Sequence, residues 1–328
     1  MTRRTLAGLL GAVVSMGSLV ACDEDDASWA ADAGVQDDQD DVTVRELEVN
    51  GFRLNGFRLN GFRLNGFRLN GDDDSDWIEL EQIIVPNQPE IVGSWVVGSN
   101  LHLKTKYGTI LSGAQLVGAE LDFGVSEALH GKKSKKVRIT SVKPLKWGSD
   151  VLLYGLEIKD ELSSWEPLCL DQYDQGTQAI LLTDAWDLET GDRITPKPSG
   201  VVTFACRDAA LAKCVEWGYA PWRTVNNVPL VNHHQTCTRA ARADYCGDGT
   251  AHTYNGTKIH VLDKLGIQIP DLGLGLGYAV EAEWGPNGAV CLNPNNTRLP
   301  DAEYACSPSK CSNVFNSGGL IQTGIPLL

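Results

Sequence analysis

The stretch ACRDAALAKCVEWGYAPW, residues 205–222, decides the fold, because the chain reads as short strands before it and as short helices directly after it. Ala and Leu density, helical apolar spacing and the following Gly218 describe a short helix with a glycine stop. A second short helix fits HHQTCTRAARADYC, residues 233–246. Cysteines sit near both ends of both segments: Cys206 and Cys214 in the first, Cys237 and Cys246 in the second. If the helices pack antiparallel, nested bridges Cys206 to Cys246 and Cys214 to Cys237 meet the short Cα separation a disulfide needs. Cys169, Cys291, Cys306 and Cys311 are then left to pair among themselves, and spacing alone leaves the full connectivity open.

Working outward towards the N-terminus, the runs 91–97, 101–105, 119–125, 137–142, 151–158, 179–183 and 200–205 are short and β-branched or alternating, with Gly, Pro, Asn, Asp and Ser between them. Strands at this spacing predict an antiparallel sandwich or a partly open barrel over residues 82–205. Residues 206–328 then carry the disulfide-stapled helical hairpin and further short strands, which makes the fold class α+β. Asn255-Gly256 reads as a hairpin turn with alternating residues on to Val261. The dense basic cluster GKKSKK, residues 131–136, reads as a solvated hairpin loop, with a phosphate or polysaccharide contact as the alternative.

Charge separates this body from a tail. Residues 23–81 hold 17 acidic side chains against five arginines, a net of −12, whereas the whole chain carries −14. Such an acidic stretch has too little apolar surface to offset the entropy lost on ordering, so residues 22–49 and 72–81 are expected to be disordered linker. The negative balance also argues against a nucleic-acid partner. Between them lies NGFRLNGFRLNGFRLNGFRLNG, residues 50–71, four Phe-Arg-Leu copies separated by Asn-Gly pairs. A five-residue period matches neither an α-helix nor a continuous strand. A flexible linker, a miniature hairpin meander, and a multivalent recognition segment docking through Phe52, Phe57, Phe62 and Phe67 all fit this pattern.

At the N-terminus Arg3 and Arg4 precede an apolar run over residues 6–20, too short to span a bilayer. It ends in Leu19-Val20-Ala21-Cys22, which resembles a lipobox. Residues 1–21 are therefore expected to be a lipoprotein signal peptide and Cys22 the acylated residue, so that the lipid bilayer is a partner through an anchor that does not span it. Removing Cys22 from the nine cysteines leaves eight, all at or beyond position 169, and an even number in a secreted chain implies disulfides.

Ala243-Asp244-Tyr245-Cys246, preceded by KCVEWGY and followed by GDGTAHTYNGT and EAEWGPNGAVCLN, resembles the ADYC domain, named after that tetrapeptide. The motifs occur in the same order over roughly residues 95–311, and the Asn-Gly-Phe-Arg-Leu repeat lies outside them. The resemblance implies a secreted or lipid-anchored bacterial protein of a kind common in myxobacteria, with a disulfide-bearing domain. It implies nothing about catalysis.

The residues that chemistry would use are Asp244, Asp248, His233, His234, His252 and His260, with Glu281 and Glu283 near them in sequence. No HExxH, GxSxG, glycine-rich phosphate loop or paired CxxC spacing is present, so neither a cofactor nor a metal is expected. His233 and His234 are adjacent and point apart on a helix. Asp244 reads as a carboxylate that fixes a helix end through Arg239 or Arg242, and Gly247-Asp248-Gly249 as a turn. Tryptophans offer another route: Trp217 and Trp284 read as core, and Trp222, after Pro221, as core or as an exposed contact for a glycan or protein. The expectation is a lipid-anchored cell-envelope protein that binds or displays. The alternative is a secreted hydrolase, acting on an envelope or extracellular polymer, that uses Asp244 and His252.

Overall fold

The protein is described here by a computed structural model, which covers 46–49, 61–65 and 78–327 apart from 128–130, 161–162, 188–189, 197–200, 270–276, 300–301 and positions 172, 174, 208, 255 and 313. Its strands run in order β1 (Glu46–Val49), β2 (Gly61–Asn65), β3 (Ile78–Ile84), β4 (Ile91–Val97), β5 (Asn100–Thr105), β6 (Ile110–Ser112), β7 (Glu120–Glu127), β8 (Gly131–Pro144), β9 (Leu152–Asp160), β10 (Glu166–Pro167), β11 (Cys169–Leu170), β12 (Gly176–Leu182) and β13 (Val201–Cys206). Helix α1 (Ala210–Glu216), β14 (Thr224–Val225), β15 (Val228–Pro229) and helix α2 (Val231–Arg242) follow, then β16 (Thr257–Asp263), β17 (Tyr278–Gly285), β18 (Gly288–Leu292) and β19 (Ile321–Pro326).

The large sheet has the order β2-β13-β12-β9-β8-β7-β3, with β10 beside β9 and β11 beside β12, and its strands pair antiparallel without closing. Alternation along its strands explains why it folds. In β8, Val137 and Ile139 are buried, while Lys136 pairs with Asp122 at 3.0 Å and Arg138 pairs with Glu157 on the outer face. The inner face joins Phe123, Leu156, Leu181 and Phe204 to Leu101, Leu103 and Leu111 of the separate three-stranded sheet β4-β5-β6. Tyr154 fastens the two: its hydroxyl donates to the Ser99 carbonyl and accepts from the Leu101 N–H, both at 3.0 Å. Burial pushes that phenol up to about 12.

On the other face, Leu153, Ile180, Leu182 and Ala205 pack against Leu211, Ala212 and Val215 of α1. Helix α1 packs on α2, and α2 packs on the five-stranded sheet β1-β16-β19-β17-β18 through Ala240, Ala241, Trp284 and Ile321. The helices thus form a layer between two sheets, which is the α+β arrangement. All described residues belong to one compact unit.

Several local expectations change. The basic run 131–136 is the start of strand β8, in register with β7 from Glu127 to Asp122, where Lys136 is opposite Asp122 on β7 and Lys135 is opposite Asp160 on β9. The Thr257 N–H closes a turn on the Tyr254 carbonyl at 3.3 Å, but residues 251–254 are not a strand, and β16 pairs instead with β1 and β19. Strand β3 begins at Ile78, and β1 and β2 lie within stretches read as linker or repeat. The remaining residues of 1–77, Cys22 among them, lie outside the described set.

The eight cysteines of the body form four bridges. Cys214 joins Cys237 across α1 and α2. Cys206 and Cys246 do not meet: Cys206 ends β13 and bonds Cys169 of β11, whereas Cys246 bonds Cys306. Cys291 bonds Cys311. The nested pattern fails because α1 begins at Ala210, so Cys206 belongs to the sheet and not to the helix. By the loop-entropy argument, opening Cys246–Cys306, which spans 60 residues, by paired alanine substitution is expected to cost about 4 kcal/mol. Opening Cys291–Cys311, which spans 20, should cost about 3 kcal/mol. Urea unfolding of the two double variants measures both.

Candidate functional site

Helix α2 concentrates the candidate residues, and its sequence is polar all round, VNHHQTCTRAAR. Yet every residue from His233 to Arg242 is buried. Such a helix stands only if most of its polar groups find partners. His234 Nε2–H donates to the Leu211 carbonyl at 3.0 Å, and Gln235 accepts from the Trp186 indole N–H at 2.8 Å while donating to the Gly191 carbonyl. Arg239, 1% exposed, donates to the Thr190 and Pro286 carbonyls and to the carboxylates of Asp192 and Asp244.

The tetrapeptide 243–246 closes this helix, and each residue has a separate task. Ala243 ends it in the left-handed region at φ 51° and receives the His252 Nδ1–H on its carbonyl at 3.1 Å. Asp244, fully buried, accepts from Arg239 and from the N–H groups of Asp248 and Gly249 at 3.1 Å, so one carboxylate ties the helix to the following turn. Burial pushes its carboxyl above the usual range, and the Arg239 guanidinium opposes that shift. Tyr245 stacks on Trp284 with centroids 5.2 Å apart and donates its hydroxyl to Glu281 at 2.6 Å. Cys246 carries the chain to Cys306.

The segment EAEWGPNG, residues 281–288, is the other half of this junction. Glu281 also accepts from Thr323 at 2.6 Å and from Arg298, whose guanidinium in turn donates to the Ala240 and Ala241 carbonyls at the end of α2. Glu283 accepts from the N–H groups of Asn316, Ser317 and Gly319. Gly247 and Gly288 are required by contact: a Cβ on Gly247 would lie 2.1 Å from the Asn287 carbonyl oxygen, and one on Gly288 2.8 Å from the Gly247 nitrogen.

The sequence therefore located the helix-end role of Asp244 but missed Arg298 and the Glu281 network. The signal was present in the shared order of ADYC and EAEWGPNG, without any indication that the two meet. Asp244 and His252 are close in the chain, but the partners of the Asp244 carboxylate are a guanidinium and two amides, and His252 packs against the rings of Tyr245 and Tyr304, which also touch each other. His233 stacks on Tyr219, whose hydroxyl donates to Asp263; His260 stacks on Tyr278. Among the described residues no group of three or more His, Cys, Asp or Glu could hold a metal ion. Chemically, this junction is a set of carboxylates with fixed donors, suited to holding backbone in place.

Solvent-facing features lie elsewhere. Trp147, between β8 and β9, is 96% exposed. Trp95 stacks on His102 at 5.3 Å on the outer face of β4 and β5, flanked by exposed Val97. Trp165 lies 4.3 Å from Arg138 and 4.6 Å from Lys159 over the outer face of the large sheet. Trp222 is half-buried, with its ring against Gly98 at the β4–β5 turn. Where β3 and β4 diverge, an open cleft of about 880 Å³ is lined by residues including Gln82, Ile83, Gln88, Glu90, Ile91 and Ser94. Of the repeat phenylalanines, Phe62 falls in β2; Phe52, Phe57 and Phe67 lie outside the described residues.

Compared with known families, the chain matches the ADYC domain over residues 113–298, a shorter span than the motifs alone suggest, and one that holds both helices, Asp244, Glu281 and Arg298. No curated protein and no solved structure matches the chain.

Two outcomes follow from the buried polar helix. Asp244→Ala leaves Arg239 buried beside an absent partner and is expected to cost about 3–5 kcal/mol, read from denaturant unfolding. Burial lowers His234 to about 4, so it is neutral in the folded protein, and the unfolded chain takes up the proton first as pH falls below its ordinary 6.5. Stability is therefore full above that value and declines towards the folded one, by about 2 kcal/mol at pH 5. Urea midpoints measured at neutral and mildly acid pH should show this slope, and His234→Gln should flatten it.

Proposed function

The chain belongs to the ADYC domain family, and from the way that domain uses its residues we propose a lipid-anchored cell-envelope protein that acts by binding or display and not by catalysis. The observation that carries this reading is the contrast between the two kinds of side chain. Asp244, Glu281, Glu283, Arg239 and Arg298 are committed to internal hydrogen bonds, whereas an indole as exposed as Trp147 has no packing role to account for it. Exposed tryptophan offers a flat apolar face to a sugar ring or a protein partner.

The compartment rests on separate grounds. Four disulfides place the body outside the cytoplasm, where such bonds persist. The charged-then-apolar start and Leu19-Val20-Ala21-Cys22 support acylation at Cys22. Among the described residues no helix is long and apolar enough to cross a membrane. A myxobacterial origin would suit the family resemblance.

Screening the purified chain against envelope glycans and secreted proteins tests the binding reading. A bound ligand is expected, weakened roughly tenfold or more by Trp147→Ala with the unfolding midpoint unchanged. Absence of any ligand, together with turnover of an ester, glycoside or peptide that Asp244→Ala abolishes without unfolding the protein, would overturn it. Intact-mass analysis of protein extracted from its native membrane tests the anchor: an acylated N-terminal Cys22 is expected, and an unmodified one sinks the lipoprotein assignment.

A further inference from the structure

Strand β13 is an edge that needs a cover. Thr203, Phe204, Ala205 and Cys206 are all buried, with Phe204 in the core of the large sheet and Ala205 against the α1 layer. A strand buried on both faces, with a free row of N–H and C=O groups, is a ready template for another chain. That row is taken by β2, which runs antiparallel to it from Asn65 opposite Val201 to Gly61 opposite Ala205.

Strand β2 is not a unique sequence. It is the third of four identical Gly-Phe-Arg-Leu-Asn copies, at residues 51–55, 56–60, 61–65 and 66–70. A one-residue slip would turn every side chain to the opposite face. A slip of five residues, by contrast, brings an identical sequence into the same register. Because the period is odd, two consecutive copies in one straight strand would present their phenylalanines to opposite faces, so one copy at a time suits the edge. The Asn-Gly between copies supplies turn chemistry for the chain to leave the ladder on either side.

We propose that the four copies are interchangeable donor strands for the β13 edge, one covering it at any time by strand addition while the others stand in reserve. The occupant is a segment of the same chain. Four tethered donors in place of one raise the effective donor concentration at the edge by about fourfold.

Hydrogen exchange of the β13 amides in the full-length chain tests this. Arg63→Pro disables only the third copy, and protection is expected to fall less than about twofold, because three donors remain. Proline at all four arginines, Arg53, Arg58, Arg63 and Arg68, should lower protection roughly tenfold or more while the amides of β8 stay protected, and added GFRLN peptide should restore it. If Arg63→Pro alone removes protection as fully as the fourfold variant, the third copy is a dedicated strand and the proposal fails. It fails equally if the fourfold variant keeps its protection. Protection that appears only as protein concentration rises would assign the donor to a second copy of the chain and overturn the intramolecular form.

Discussion

The buried pairing of Arg239 with Asp244 is the interaction on which the rest of the domain depends. It joins the last turn of α2 to the turn that follows, and through the Thr190 and Pro286 carbonyls it also reaches the β12–β13 loop of the large sheet and the β17–β18 turn. A buried ion pair of this kind is not in itself a strong source of stability, since desolvation offsets much of the attraction. Its value is geometric. With both partners present the two sheets have one relative placement across the helix layer, and with either absent a charge is left in the core.

The second charged pair, Arg298 with Glu281, repeats the device from the opposite side. Arg298 donates to the carbonyls of Ala240 and Ala241 in the last turn of the helix, while Glu281 collects donors from Tyr245, Thr323 and the same guanidinium. The family tetrapeptide and the EAEWGPNG segment are thus two faces of one joint. Their side chains are explained by what they hold.

Much of this was legible in the sequence, and for definite reasons. Alternation in the run 137–142 revealed a strand because one face of the large sheet there is a core and the other is polar, whereas 151–158 is apolar on both faces and was legible from its β-branched and apolar content between turn residues. Ala-rich spacing and Gly218 revealed α1, and Asp244 was recognisable as a helix-end carboxylate with Arg239 or Arg242 as its partner, of which the structure selects Arg239 for the close ion pair. What was not legible depended on contacts distant in the chain. Cys246 lies 60 residues from Cys306, and Arg298 lies 17 from Glu281, separations about which local periodicity says nothing. The basic arm of β8 was misread as a loop because its acidic partners are on a neighbouring strand.

A helix as polar as α2 has little tendency to form alone, and at 12 residues it is too short to persist in water without packing. Its carbonyl, indole and carboxylate partners come from α1, from the loop after β12 and from β17–β18, so they become available only when those parts are already in place. Neither core can therefore mature while the other is loose. The molecule is built to fold and melt as one cooperative piece, so that outside the cytoplasm it presents either the whole scaffold or none of it.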